Sequence, residues 1–263
     1  MKRSLAGEII GNEIRYFAEI GSTNDEAFRL GWQGLPQGVV VIADSQKAGR
    51  GRLQRAWHSP ARANIYTSII LRPGFAPSAA PRLTVMAGLA VAETLKIFCP
   101  GIIQLKWPND VLIEGKKVCG ILAQMQTEAD QISFVILGIG INVNMSGDDL
   151  PSDIKNSATS LMIQTGSVHS REKILINLYK NLSKWYKKLT GDGFDEIRQK
   201  WTEMAALIGC DIQVAYRSEA IRGKALGIDE EGALILAGAD GKQVRILAGD
   251  ASIIKEKRNA ARN

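Results

Sequence analysis

Metal-binding chemistry is nearly absent from this sequence. Its 263 residues hold two histidines, His58 and His169, and three cysteines, Cys99, Cys119 and Cys210. Neither histidine belongs to a metal-ligand spacing. No C-x-x-C occurs, and an odd, scattered set of cysteines suggests neither a zinc site nor a disulfide framework. No apolar run reaches the length of a membrane span, and Met1-Lys2-Arg3-Ser4 lacks the apolar core of a signal peptide. Internal repeats are missing too. These absences predict a soluble, reduced, cytoplasmic protein without membrane contact. The formal net charge of +6 suits anionic ligands or acidic protein partners, and does not by itself point to nucleic acid.

What is present is concentrated in a few short stretches. Gln46-Lys47-Ala48-Gly49-Arg50-Gly51-Arg52-Leu53-Gln54-Arg55-Ala56-Trp57 combines bendable glycines, forked arginine donors and a flat indole. That set suits a nucleotide held over an anion, although a solvated basic turn or an RNA-binding loop can look the same. Trp57 reads equally as a stacking platform or as packing. Next, Lys106-Trp107-Pro108-Asn109-Asp110 follows the apolar run Ile102–Leu105. Beyond it, Val111-Leu112-Ile113 and Lys117-Val118-Cys119-Gly120-Ile121-Leu122 flank a polar turn at 114–116. This predicts a β-hairpin carrying Lys106, Asn109, Asp110 and Lys117, with Pro108 at a bulge or strand edge. Finally, the apolar strand over 132–142 ends in Gly138, Gly140 and Asn142. No G-x-G-x-x-G opens a helix there, so this is a strand end closely approached by something, not a dinucleotide fingerprint.

The remaining pattern alternates strands and helices. Strands are expected at Ile14–Ile20, Gly38–Ala43 and Asn64–Leu71, and an apolar helix at Pro81–Phe98. Ser22-Thr23-Asn24 opens a helix, with Thr23 and Glu26 at capping-box spacing, so Ser22 and Thr23 serve as caps, as ligand contacts or as both. After a polar loop at Gly147–Asn156 come helices at Glu172–Leu189 and Asp195–Ala206, with Trp185 and Trp201 as core anchors. Short strands follow at Gln213–Tyr216, Ile221–Ile228, Ala233–Leu236 and Gln243–Ile246. Glu231-Gly232 and Asp240-Gly241 mark the turns between them. The expected domains are 1–206 and 207–258, with a solvated tail at 259–263 that carries part of the positive charge.

Taken in order, Ser22-Thr23-Asn24, Gln46 with the arginine loop, Lys106–Asp110, Lys117-x-x-Gly120 and Gly138-x-Gly140-x-Asn142 resemble the biotin–protein ligases, or biotin–[acetyl-CoA-carboxylase] ligases. The resemblance is close over about 14–145. It implies an α+β fold with a mixed sheet like that of class II aminoacyl-tRNA synthetases, flanked by helices, and a small C-terminal SH3-like barrel. It implies activation of biotin by ATP with Mg²⁺ to biotinyl-AMP, then transfer to a lysine of a biotin carboxyl carrier protein domain. Lys117, Arg52 and Asp110 are the implied catalytic residues. Ser22, Thr23, Asn24, Gln46, Gly49, Arg50, Gly51, Arg52, Lys117, Gly120 and Gly138 would serve biotin. Arg50, Arg52, Arg55, Trp57, Lys106, Asn109, Gly140 and Asn142 would serve ATP. The loop departs from the family in keeping only Arg55 of a second Arg-Gly-Arg unit. The resemblance starts near residue 14, so the expectation is an enzyme without a helix-turn-helix repressor module or specific DNA binding, and a homodimer stays open. A lipoate or octanoate ligase of the same fold is the rival enzyme. A non-catalytic nucleotide- or RNA-binding protein is the rival from another class.

Overall fold

Val39-Val40-Val41-Ile42-Ala43 is apolar throughout because its strand is covered on both faces. In the computed structural model, which describes residues 1–216, 219–238 and 241–254, all five are buried. Val40 and Ile42 pack with one core cluster, and Val39 and Val41 with another. Alternate side chains of a strand point to opposite faces, so two cores require two covering layers.

The sheet has seven strands: β1 (Glu13–Ile20), β2 (Val39–Gln46), β3 (Ile65–Leu71), β4 (Ile103–Lys106), β5 (Asp110–Ile113), β6 (Lys116–Glu128) and β7 (Gln131–Ile141). Their spatial order is β1-β2-β3-β7-β6-β5-β4. Only β1 and β2 run parallel, joined by the crossover helix α1 (Thr23–Trp32); every other pairing is antiparallel. One face carries α2 (Pro81–Lys96), α4 (Arg171–Gly191) and α5 (Asp195–Glu203), with a single-turn α3 (Leu161–Thr165) between. As expected, Leu83, Met86 and Ala90 of α2 are buried, as are Trp185 and Trp201. The opposite face carries α1, whose Ala27 and Leu30 meet Val39, Val41, Ile70, Phe134 and Ile136.

Five more strands, β8 (Asp211–Tyr216), β9 (Glu219–Ile228), β10 (Leu234–Ala237), β11 (Gln243–Ile246) and β12 (Asp250–Ile253), form an antiparallel sheet in the order β11-β10-β9-β8-β12, of SH3-like type. Its Ile212, Val214, Leu234 and Leu236 belong to the large core. Polar links join it to the rest of the molecule, among them Trp107 Nε1, which donates to the Gly232 carbonyl at 3.1 Å, and Arg82 Nε of α2, which donates to the Glu230 carbonyl at 2.7 Å.

Several expectations are corrected. The cap of α1 is Ser22, whose Oγ accepts from Asp25 N at 3.4 Å; Thr23 is already helical and turns its hydroxyl elsewhere. Pro108 lies in the turn between β4 and β5, where no ladder hydrogen bond is needed, and the bulge falls at Val111/Leu112 instead. The expected hairpin is β5–β6, turned at Glu114 and Gly115, both with positive φ. The helix at 195 stops at Glu203, and β12 went unanticipated. Asp240 and the tail at 259–263 lie outside the described residues.

Candidate active site

The α1 face of the sheet is only half covered. Along β7, Ile136 lies under α1, and the next residues on that face are Gly138, Gly140 and then Asn142. Along β3, Ile70 is followed by Ser68 and Tyr66, and β6 contributes Leu122 and Gly120. The cross-strand partners are Ser68↔Gly138↔Leu122 and Tyr66↔Gly140↔Gly120. Small residues therefore replace the apolar ones where the helix no longer covers the strands, leaving a cavity of about 430 Å³. That size suits a small-molecule ligand.

Two side chains sit on the glycines. Asn24 lies over Gly138, where an added Cβ would fall 2.0 Å from its Oδ1. The Trp57 indole lies across Gly120 and Gly140, whose added Cβ atoms would fall 2.9 Å and 2.6 Å from it. The close approach expected at this strand end is thus made by the protein itself. Asn24 is held by Ser68 Oγ (2.6 Å) and donates to Gln124 Oε1 (2.8 Å). Ser68 Oγ also lies 2.8 Å from Thr23 Oγ1. Gln46 Oε1 accepts from Thr23 N at 2.8 Å and Thr23 Oγ1 at 3.1 Å, and Gln46 Nε2 donates to Ser59 Oγ at 3.0 Å. Ser59 and Ser68, absent from the expected set, thus complete a buried polar network with Ser22 beside it.

Charge gathers at the other end. Lys117 Nζ stands 2.7 Å from Asp110 Oδ1 and 5.4 Å from the Trp57 ring centroid. Asn109 ties the β4–β5 turn to β6 through Nδ2 and the Ile121 carbonyl at 2.7 Å, and its Oδ1 accepts from Arg52 at 3.3 Å. The arginine loop is a tight hairpin: Arg50 bridges Ala56, Trp57 N donates to the Gly49 carbonyl at 2.9 Å, and Leu53 and Gln54 take left-handed φ values of 54° and 60°. Each of its three arginines has a carboxylate partner. Arg50 pairs with Asp25, and Arg52 and Arg55 both reach Asp250 on β12. Burial pulls the Arg52 guanidinium below its ordinary pKa, with Asp250 and then Asp110 acting against that shift. Arg52 stays a cation.

Of the residues singled out in the sequence, all but Gly49 border this cavity: Ser22, Thr23, Asn24, Gln46, Arg50, Gly51, Arg52, Arg55, Trp57, Lys106, Asn109, Asp110, Lys117, Gly120, Gly138, Gly140 and Asn142. Gly49 is buried against Ser59 and the Trp57 carbonyl, where it packs the loop. Asn142 has its Nδ2 committed to the Thr159 carbonyl at 3.0 Å. Also missed were Leu150 and Ile154 of the polar loop and Met145 and Ala158 flanking it, which form a small core and a wall of the cavity. Cys119 offers no nucleophile, since full burial pushes its thiol well above the ordinary range.

Residues 16–142 match the biotin/lipoate A/B protein ligase family, and residues 207–253 match the biotin protein ligase C terminal domain. The chain is 38% identical over 237 residues to the bifunctional ligase/repressor BirA of Bacillus subtilis, covering 90% of this chain and 73% of that protein. It is 37% identical over 232 residues to the biotin–[acetyl-CoA-carboxylase] ligase of Paracoccus denitrificans, covering 86% and 95%. A solved structure of a biotin protein ligase from Aquifex aeolicus in complex with biotin and ATP is similar, with a TM-score of 0.78 and 31% identity over 92% of this chain and 99% of that one. With both of its sheets matched and its cavity lined by those motifs, the chain belongs to the biotin protein ligase family.

Proposed function

We infer that this protein is an ATP-dependent biotin–[acetyl-CoA-carboxylase] ligase. It activates biotin as biotinyl-5'-AMP and transfers it to a lysine of a biotin carboxyl carrier protein domain. The observation that carries this reading is the convergence of five separated motifs on one cavity, polar at the Thr23–Gln46 end and charged at the Lys117–Arg52 end. The match to biotin protein ligases over both sheets supports this reading over a protein that only binds nucleotide or RNA.

The first step brings a carboxylate to a triphosphate, so like charges must be neutralised. One biotin carboxylate oxygen bonds to the α-phosphorus, and the bond to pyrophosphate breaks. Lys117 stands between the two reactants, and Arg50, Arg52 and Arg55 face the phosphates. Mg²⁺ would accompany ATP as its counterion and would supply further neutralisation of the phosphates. Asp110 and Asp250, the carboxylates bordering the cavity, are paired with cations, and the described residues contain no cluster of three or more His, Cys, Asp or Glu. In the second step the acceptor amine attacks the acyl carbon and AMP leaves. That amine is ordinarily protonated near neutral pH. Asp110 takes its proton once Lys117 has moved to the adenylate.

Ser22, Thr23 and Gln46 recognise the ureido head of biotin, Asn24 orders them, and Trp57 closes over the ligand. The proposed division is 1–206 for catalysis and 207–258 for the small sheet. The setting is cytoplasmic, with no sequence-specific DNA contact. No helix among the described residues is long and apolar enough to cross a membrane. Pyrophosphate release measured with biotin, and separately with lipoate, tests the assignment. Release is expected with biotin alone; release with lipoate only overturns it.

A further inference from the structure

We propose that Asp250, on the small C-terminal sheet, is a positioning residue for the nucleotide: its carboxylate holds Arg52 and Arg55 together at the cavity mouth, aimed at the triphosphate. The proposal rests on the ligase reading above. Arg52 and Arg55 lie in one loop, and each charge disfavours the other. Asp250 answers both, with Oδ1 3.4 Å from Arg52 Nη1 and Oδ2 2.6 Å from Arg55 Nη2. The Gly249 carbonyl accepts from Nη1 and Nη2 of Arg52, each at 3.2 Å, and Asn109 Oδ1 of the main domain accepts from Nη1 at 3.3 Å. These acceptors fix the plane of the Arg52 guanidinium.

The charge balance favours positioning over competition. Two arginines and one aspartate leave a net positive charge, so an incoming phosphate is still attracted. Removing the carboxylate would leave two adjacent cations, one of them largely desolvated, free to swing apart. The two arginines also differ. The Arg52 side chain is 23% exposed and held by three residues, whereas the Arg55 side chain is 70% exposed and has Asp250 as its ion-pair partner. Arg55 is therefore the arm that changes partner when phosphate arrives, and Arg52 is the fixed one.

Steady-state kinetics on the full chain, with Asp250→Asn and Asp250→Glu, test this. In Asp250→Asn the KM for Mg·ATP should rise about tenfold, the scale of one charge-assisted hydrogen bond. The KM for biotin should stay within about twofold, biotinyl-AMP should dissociate faster, and Asp250→Glu should recover most of the loss. In an Arg52→Ala background, Asp250→Asn should cost less than it does alone, because the two act through one contact. An unchanged or lower KM for Mg·ATP in Asp250→Asn would overturn the proposal alone. So would equal rises for biotin and Mg·ATP with a lower melting temperature, which mark a simple domain staple. Absence of biotin-dependent pyrophosphate release from the unaltered protein would remove the ligase reading, and this proposal with it.

Discussion

Lys117 and Arg52 border the same cavity and should fail in different ways. Under the proposed mechanism, Lys117→Ala removes the cation from the place of bond making and strands Asp110, so pyrophosphate release should fall about a hundredfold or more. Biotin binding, measured by calorimetry without ATP, should survive. Arg52→Gly instead loosens the grip on the adenylate. Biotinyl-AMP should still form but escape, and labelling of bystander lysines should appear on a streptavidin blot; retention equal to wild type would sink that role. Residue types of this kind were legible in the sequence because cations, glycines and a tryptophan are costly to keep in one short loop without a ligand. Ser59 and Ser68 were not legible. A serine carries no signal until its neighbours across the sheet are known, and here those neighbours are Gln46, Thr23 and Asn24.

At the scale of elements, the paired Gly120 and Gly140 form a bare ledge for the Trp57 indole, whose Nε1 is buried without a hydrogen-bond partner among the described residues. A methyl at 140 would collide with the ring rather than with a flexible side chain. Gly140→Ala should therefore displace the indole, shift its fluorescence and weaken nucleotide binding, while the circular dichroism spectrum stays native. An unchanged emission maximum would show that the ledge does not set the ring position. The strands themselves were readable from apolar runs, and α2 and α4 from their helical spacing. β12 was not, because Asp250–Ile253 is four residues with one buried side chain and is a strand only through its pairing with β8. The wall at Met145–Ala158 was hidden by its polar composition, since its inward-turned residues Met145, Leu150, Ile154 and Ala158 are scattered among polar ones.

Over the whole molecule, the two sheets are joined through the turn between β9 and β10. Asp229 accepts from the Glu231 and Ala233 backbone N–H groups, both at 2.9 Å, and pairs with Arg245. This shapes the turn that offers the Gly232 carbonyl to Trp107. Desolvation works to raise the Asp229 carboxyl, but the Arg245 and backbone hydrogen bonds outweigh it and hold the group below its ordinary value. A depressed folded-state pKa stabilises the fold above the unfolded value, near ~3.9, and that contribution is lost as pH falls below it. Asp229→Asn should lower the melting temperature at pH 7, and the gap to wild type should close as pH drops below ~4. A gap that stays constant down to acid pH would place the stabilisation elsewhere. The arginine clamp spans the molecule in another sense. Arg52 and Asp250 are 198 residues apart in the chain. At a synthesis rate of ~5–20 residues per second, roughly 10–40 s separate their appearance on a ribosome. Late in that interval a nascent chain carries the strands and the α1 helix that border the cavity, but not the strand that holds Arg52 and Arg55 together. Among the described residues, every wall of the cavity but Asp250 is thus synthesised before the carboxylate that joins the two arginines.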